Sequence, residues 1–157
     1  MNNFSSLKNF RQASPALFTC GQPSEIHLAL FRDKGVAVVI NLALHDDPSY
    51  SLDDERAVVR SLGMVYIHIP IAFDHPTQKE LSQFFAAMQE NDSQNILVHC
   101  AANMRVTAFL GLYWHLVKGW PREKAFGLME SVWNPDITWS SFIQESILGF
   151  EKQKTAS

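Results

Sequence analysis

Val36-Ala37-Val38-Val39-Ile40-Asn41-Leu42 is a nearly unbroken β-branched and aliphatic run. Such a run offers water no polar face, so it reads as a strand buried on both sides, in the middle of a sheet covered above and below. The neighbouring pattern supplies the cover. Met64 to Ile69 and Asn95 to His99 read as further strands, and helical spacing fills the intervals. A turn at Gly21-Gln22-Pro23 leads to Ser24 as an N-cap, with Ile26, Ala29 and Leu30 as the first helix's apolar positions and Gly35 as its stop. Ser51 with Asp54 reads as a capping box for a helix through Val58, Val59 and Leu62, closed by Gly63. Thr77 with Glu80 forms a second box ahead of Leu81, Phe84, Phe85 and Met88. Strands alternating with helices imply parallel pairs joined by crossovers, hence an α/β fold with a central, mostly parallel sheet flanked by helices. Beyond residue 104 the chain reads as all helix. One stripe is Val106, Phe109, Leu110, Tyr113 and Val117; Pro121 starts another with Ala125, Leu128, Met129 and Val132; Trp139, Phe142, Ile143, Ile147 and Phe150 make a third.

With 157 residues, 46% of them hydrophobic, the chain suits one domain spanning 1–157, with an ordered core at about 15–150 and a frayed tail from Glu151. Trp114, Trp120, Trp133 and Trp139 fall at helical spacing and read as core and interface. A net charge of −3 without a basic run leaves no footprint for nucleic acid. No apolar stretch is long enough to span a bilayer, and the first residues lack the apolar centre of a secretory signal, so a cytoplasmic protein is expected. Two cysteines are no disulfide framework. His27, His45, His68, His75, His99 and His115 are scattered without ligand spacing, and the Asp46-Asp47 and Asp53-Asp54 pairs read as solvated caps, so neither a metal nor another cofactor is expected. Oligomeric state is open.

Residues 98 to 107, Val-His-Cys-Ala-Ala-Asn-Met-Arg-Val-Thr, carry the chemistry. Cys100 stands where a strand hands over to a helix, and the helix's unpaired amides and positive dipole end favour thiolate over thiol. Those amides, from Ala101, Ala102, Asn103 and Met104 to Arg105, would also hold an anion against the sulfur. Arg105 adds a permanent charge and a planar fork suited to tetrahedral oxyanions. Thiolate, amide cradle and guanidinium together suit phosphoryl transfer through a covalent thiophosphate. In an open α/β sheet, ligands gather outside the carboxyl ends of the strands, so the Cys100 segment, the loop with Asp74 and the His45-Asp46-Asp47 loop should rim one crevice.

Residues 97 to 107 resemble the signature loop of the protein tyrosine phosphatase superfamily. Thr19-Cys20-Gly21-Gln22-Pro23-Ser24, Val39-Ile40-Asn41-Leu42 and Tyr66-Ile67-His68-Ile69-Pro70-Ile71 resemble upstream landmarks of its small dual-specificity-like bacterial members, so the likeness covers about residues 15 to 118. It implies the phosphatase-like fold and hydrolysis of a phosphomonoester on a protein or small molecule. It also implies an aspartate general acid on a loop before the nucleophile, where Asp74 lies 26 residues before Cys100 (100 − 74), with His75 a lesser candidate. His99 matches the family's histidine, which holds the loop and helps keep the cysteine ionised. Thr107 is the counterpart of the hydroxyl residue that eases thiolate departure.

The loop departs from that pattern by one residue. Only Ala101 to Met104 separate Cys100 from Arg105, where the family has five residues, and Thr107 comes two places after the arginine. Counted without a gap, Asn103 falls on the family's glycine, and Asn is the best substitute where a left-handed conformation is required. Val106 then falls on the family's arginine, and one helical position is about 100° of rotation. Four intervening residues also resemble rhodanese-like sulfurtransferases. Three readings stand: a cysteine-dependent phosphatase, an anion-binding regulatory module that has lost in-line geometry, and a sulfurtransferase. Cys20 follows a strand too and could close a disulfide to an oxidised Cys100.

Overall fold

The computed structural model describes residues 4–44 and 51–156; the expected loop at His45, Asp46 and Asp47 lies outside them. A five-stranded sheet runs in the order β1-β2-β5-β3-β4, with β1 Arg11–Ser14, β2 Leu17–Cys20, β3 Val38–Asn41, β4 Val65–His68 and β5 Ile96–His99. Every pairing is parallel except the β1–β2 hairpin at one edge. The sheet is therefore mostly parallel, as the alternating pattern requires. A strand ahead of Cys20 is expected and is β2, whereas β1 is not legible as strand pattern, because Arg11–Ser14 is polar and alternates half-buried with exposed residues at a sheet edge.

Successive side chains of β3 and β5 enter opposite cores, as period-two geometry demands. Val39 and Leu97 face Phe18, Leu28, Phe31, Val59 and Met64, beneath α1 (Glu25–Asp33) and α2 (Glu55–Ser61). Val38, Ile40, Ile96 and Val98 face the larger core under α3 (Gln78–Glu90), α4 (Met104–Leu112), α6 (Gly127–Val132) and α7 (Ile137–Ala156). Short α5 (Arg122–Ala125) precedes α6. The packing is close where α4 meets that helical half: a Cβ on Gly111 would lie 2.3 Å from the Phe126 ring.

Several expectations need correction. In α1 the buried face is Leu28 and Phe31, while Ile26 is 62% exposed. Ser24 does cap α1, and its box is completed by His27. The Ser51/Asp54 box does not form: Asp54 sits left-handed at φ 49 without a side-chain cap bond, and the Ser51 hydroxyl donates to the Leu44 carbonyl. The Thr77/Glu80 box forms as read. The stripe from Val106 to Val117 is not one regular helix, since Tyr113–Val117 widens into a π turn, within which Trp114 stacks on Trp120 at 4.9 Å. Ordered structure begins before residue 15, with Leu7 in the core, and α7 continues through Ala156. No helix is long and apolar enough to cross a membrane among the described residues.

Candidate active site

The parallel register of β2 with β5 sets Cys20 beside His99 and so lays the Gly21-Gln22 turn along the segment after Cys100. The Cys100 amide donates to the Cys20 carbonyl (3.3 Å), and the Gln22 amide donates to the Ala101 carbonyl (3.1 Å). The Ala102 carbonyl accepts from Asn9 Nδ2 (2.9 Å). Two consecutive loop carbonyls are thus tied to neighbouring segments. Asn103 takes φ 65, left-handed, where the gap-free count puts the family's glycine, and α4 begins at Met104 with no side chain capping it. An uncapped helix start leaves amides for a ligand.

The question of the arginine has a geometric answer. Val106 is fully buried in the core, whereas Arg105 lines a cleft of about 800 Å³ together with Ala101, Ala102, Gln22, Ser24 and Phe73. Arg105 is only 5% exposed, yet no carboxylate pairs with it among the described residues. Its Nη1 donates to the Ile71 carbonyl (2.7 Å), and its guanidinium lies 5.8 Å from the Phe73 ring centre. Burying a charge is costly without a partner. Among the described residues this one is anchored by Nη1 alone, and the residue lines the cleft.

Beneath the loop lies a buried pair that sequence reading missed. His99 is completely buried and Glu55 is 1% exposed; His99 Nε2 donates to Glu55 Oε2 at 2.6 Å. The other ring nitrogen faces the Cys100 carbonyl at 3.3 Å, so both nitrogens meet acceptors, an arrangement an imidazolium satisfies. Glu55 Oε1 accepts from Gln22 Nε2 (2.7 Å). Burial alone would raise the Glu55 carboxyl, but the charge and hydrogen bond of His99, with Gln22 and His68, bring it below the usual carboxylate range. Burial, reinforced by Cys100 and Glu55, pushes the Cys20 thiol well up. Glu55 looked like an ordinary helix-start charge, and only its partner 44 residues away distinguishes it.

The other expected residues divide. Asp74 is exposed on the Ala72–His75 turn, next to Phe73 but not itself in the cleft lining; His75 is exposed too. That turn is held by Trp139, which is fully buried and donates from Nε1 to the Phe73 carbonyl (2.7 Å). The Thr107 hydroxyl is engaged elsewhere, donating to the Met104 carbonyl (3.1 Å) and accepting from Trp133 Nε1 (3.2 Å). Asn103 is buried under the loop, not in the cleft. Among the described residues no cluster of His, Cys, Asp and Glu could hold a metal ion.

A mostly parallel sheet flanked by helices, with the loop from Cys100 to Arg105 at the carboxyl end of its central strand, is the arrangement of the phosphatase-like α/β fold. Residues 3–135 match the model of the family described as DSP-PTPase phosphatase fused to NAD+ Kinase, and the chain belongs to that family. The match favours the phosphatase likeness over the sulfurtransferase one. A solved DUF442 protein from Shewanella putrefaciens CN-32 is 28% identical, with 94% of this chain and 96% of that one covered and a TM-score of 0.82. TpbA of P. aeruginosa shares the fold at 22% identity, with 89% and 85% covered and a TM-score of 0.70, and has also been solved in complex with pTyr. PTPMT1, solved in complex with PI(5)P, shares it at 14% identity, with 92% and 98% covered and a TM-score of 0.76. No curated protein sequence matches the chain.

Proposed function

We propose that the chain is a single-domain, cytoplasmic, cysteine-dependent phosphatase that hydrolyses a phosphomonoester. The observation that carries this reading is the buried Arg105, facing the cleft beside the Cys100 loop without a carboxylate partner among the described residues. Cys100 Sγ attacks phosphorus as the bond to the leaving oxygen breaks, and Asp74 gives that oxygen its proton. The loop amides from Ala101 through Arg105 and the Arg105 fork hold the transferred group. Water then opens the S–P bond, passing a proton to Asp74 and releasing phosphate. None of these steps needs a metal ion. His99, braced by Glu55, holds the loop through the Cys100 carbonyl. The Thr107 hydroxyl, committed to Met104 and Trp133, is left outside this scheme.

Hydrolysis of an aryl phosphate tests it, read for wild type, Cys100→Ser and Asp74→Ala over about pH 5 to 8. Cys100→Ser is expected to abolish turnover, and Asp74→Ala to lower kcat by about 100-fold with loss of the acid limb. Wild-type turnover retained in Cys100→Ser refutes the mechanism. The family's description joins the phosphatase to a kinase of NAD+, so NADP+ belongs in the substrate panel beside a phosphotyrosine peptide. A second reading, a phosphate-binding module without turnover, is favoured by the 1% exposure of Cys100. It predicts an inactive wild type in which phosphate still protects Cys100 from alkylation.

A further inference from the structure

Lys8 lines the same cleft as Ala101, Ala102 and Arg105, although it comes from the far N-terminal part of the chain. A reciprocal clasp brings it there. Asn9 is left-handed at φ 51; its side-chain amide donates to the Ala102 carbonyl (2.9 Å), and its own carbonyl accepts from Asn103 Nδ2 (2.8 Å). The Lys8 carbonyl accepts from the Gly21 amide at 2.7 Å. The approach is so close that a Cβ on Gly21 would lie 2.6 Å from the Ala101 oxygen and 3.1 Å from Lys8 Cβ. The backbone of Lys8 is therefore fastened to the Gly21 turn, and its neighbour Asn9 to the loop that follows Cys100. Its side chain is exposed, and among the described residues the ammonium has no ion-pair partner.

Among the described residues the charge pattern of the cleft is one-sided. Its described lining contains two cations, Arg105 and Lys8, and no carboxylate. Arg105 and the helix-start amides already suffice for one phosphoryl group. A second cation, held in place by the backbone at the same cleft, matches a second negative group on the same molecule. Leu44, Leu52 and Phe73 add apolar wall for a carbon skeleton, and about 800 Å³ falls within the ~300–1,000 Å³ of small-molecule sites. We propose that the substrate is a small phosphomonoester bearing a second phosphate, and that Lys8 is the specificity-determining residue that binds the second phosphate. The proposal rests on the phosphatase reading for the group that Cys100 attacks.

The test is calorimetric binding to the full chain carrying Cys100→Ser, using straight-chain alkanediol bisphosphates of about two to six carbons beside the matching monophosphates. The readout is the ratio of the two affinities, which does not depend on how much protein is folded. At the best-fitting spacing the bisphosphate is expected to bind about tenfold more tightly, the size of one charge-assisted contact at a cleft rim. Adding Lys8→Ala should bring the ratio close to one, and Lys8→Arg should restore it. No bisphosphate preference at any spacing, or a preference unchanged in Lys8→Ala, overturns the proposal. Tighter binding of a phosphotyrosine peptide than of every bisphosphate does so as well. Wild-type turnover of aryl phosphate, measured separately, reports on the phosphatase reading alone. A chain that turns nothing over yet shows the Lys8-dependent ratio keeps the subsite and loses the enzyme.

Discussion

Replacing Glu55 separates the charge of the buried pair from its hydrogen bonds. In the native arrangement Glu55 Oε2 accepts from His99 Nε2 and Oε1 accepts from Gln22 Nε2. Glu55→Gln can keep both contacts: its oxygen accepts from Gln22, its amide donates to His99 Nε2, and the ring then carries its proton on Nδ1, facing the Cys100 carbonyl. The carboxylate charge is removed and every group stays satisfied, so the loss of stability should be about 1 kcal/mol. Glu55→Ala instead leaves His99 and Gln22 without their acceptor inside the protein, and since both members of the pair are nearly inaccessible the cost should be about 3–5 kcal/mol. That is a large part of the ~5–15 kcal/mol available to a domain. Urea unfolding at neutral pH measures both. The sign with pH follows from the lowered Glu55 pKa: its contribution is present above the ordinary value of 4.5 and is lost as pH falls through the folded value. The gap between wild type and Glu55→Gln should therefore narrow below about pH 4.5. If Glu55→Ala unfolds within about 1 kcal/mol of wild type, or no more easily than Glu55→Gln, the pair does not brace the loop.

Two further perturbations address the geometry above it. Asn103→Gly and Asn103→Ala both lose the bonds to Asn9 and Thr19, but only alanine must be forced left-handed, so it should be less stable than the glycine variant by about 1–2 kcal/mol in urea unfolding. Equal stabilities would mean that the loop relaxes out of that conformation. Trp139→Phe removes the donor to the Phe73 carbonyl next to Asp74, leaving a carbonyl unsatisfied at a cost of about 1–3 kcal/mol. Aryl phosphate kinetics should show a several-fold fall in kcat with little change in KM, and an unchanged kcat would show that the turn keeps its place unaided.

Local patterns carried the fold far, and the reason lies in the distances over which each interaction acts. The apolar run at Val36–Leu42, the Thr77/Glu80 box and the stripe from Leu81 to Met88 are set by neighbours within a turn or two. The antiparallel β1 was invisible because an edge strand need not bury either face. In α1, Ile26 matched helical spacing as well as Leu28 did, and only the sheet decides which side is inward. In the site, Cys100, Arg105 and the left-handed Asn103 were legible because one short segment holds them. Glu55 under His99, Trp139 behind Phe73 and Asn9 against Ala102 were not, since each pairing exists only once β2, β3 and β5 lie side by side.

The short loop shows how the legible and illegible parts depend on each other. With one residue fewer between Cys100 and Arg105, the loop has less chain of its own with which to turn its carbonyls away from the cleft. The missing support comes from other segments: Gln22 engages the Ala101 carbonyl, Asn9 engages that of Ala102, and Asn103 reaches back to Asn9. Arg105 in turn is braced by Ile71 and lies over Phe73, on the strand-end segment that leads into the turn with Asp74. A loop held so largely from outside should be more sensitive to changes at Asn9, Gly21 and Gln22 than to side-chain size at Ala101 or Ala102, whose backbones and not side chains make the contacts. The same dependence is what sets Lys8 at the cleft: the segment that supports the loop also brings a second cation to it.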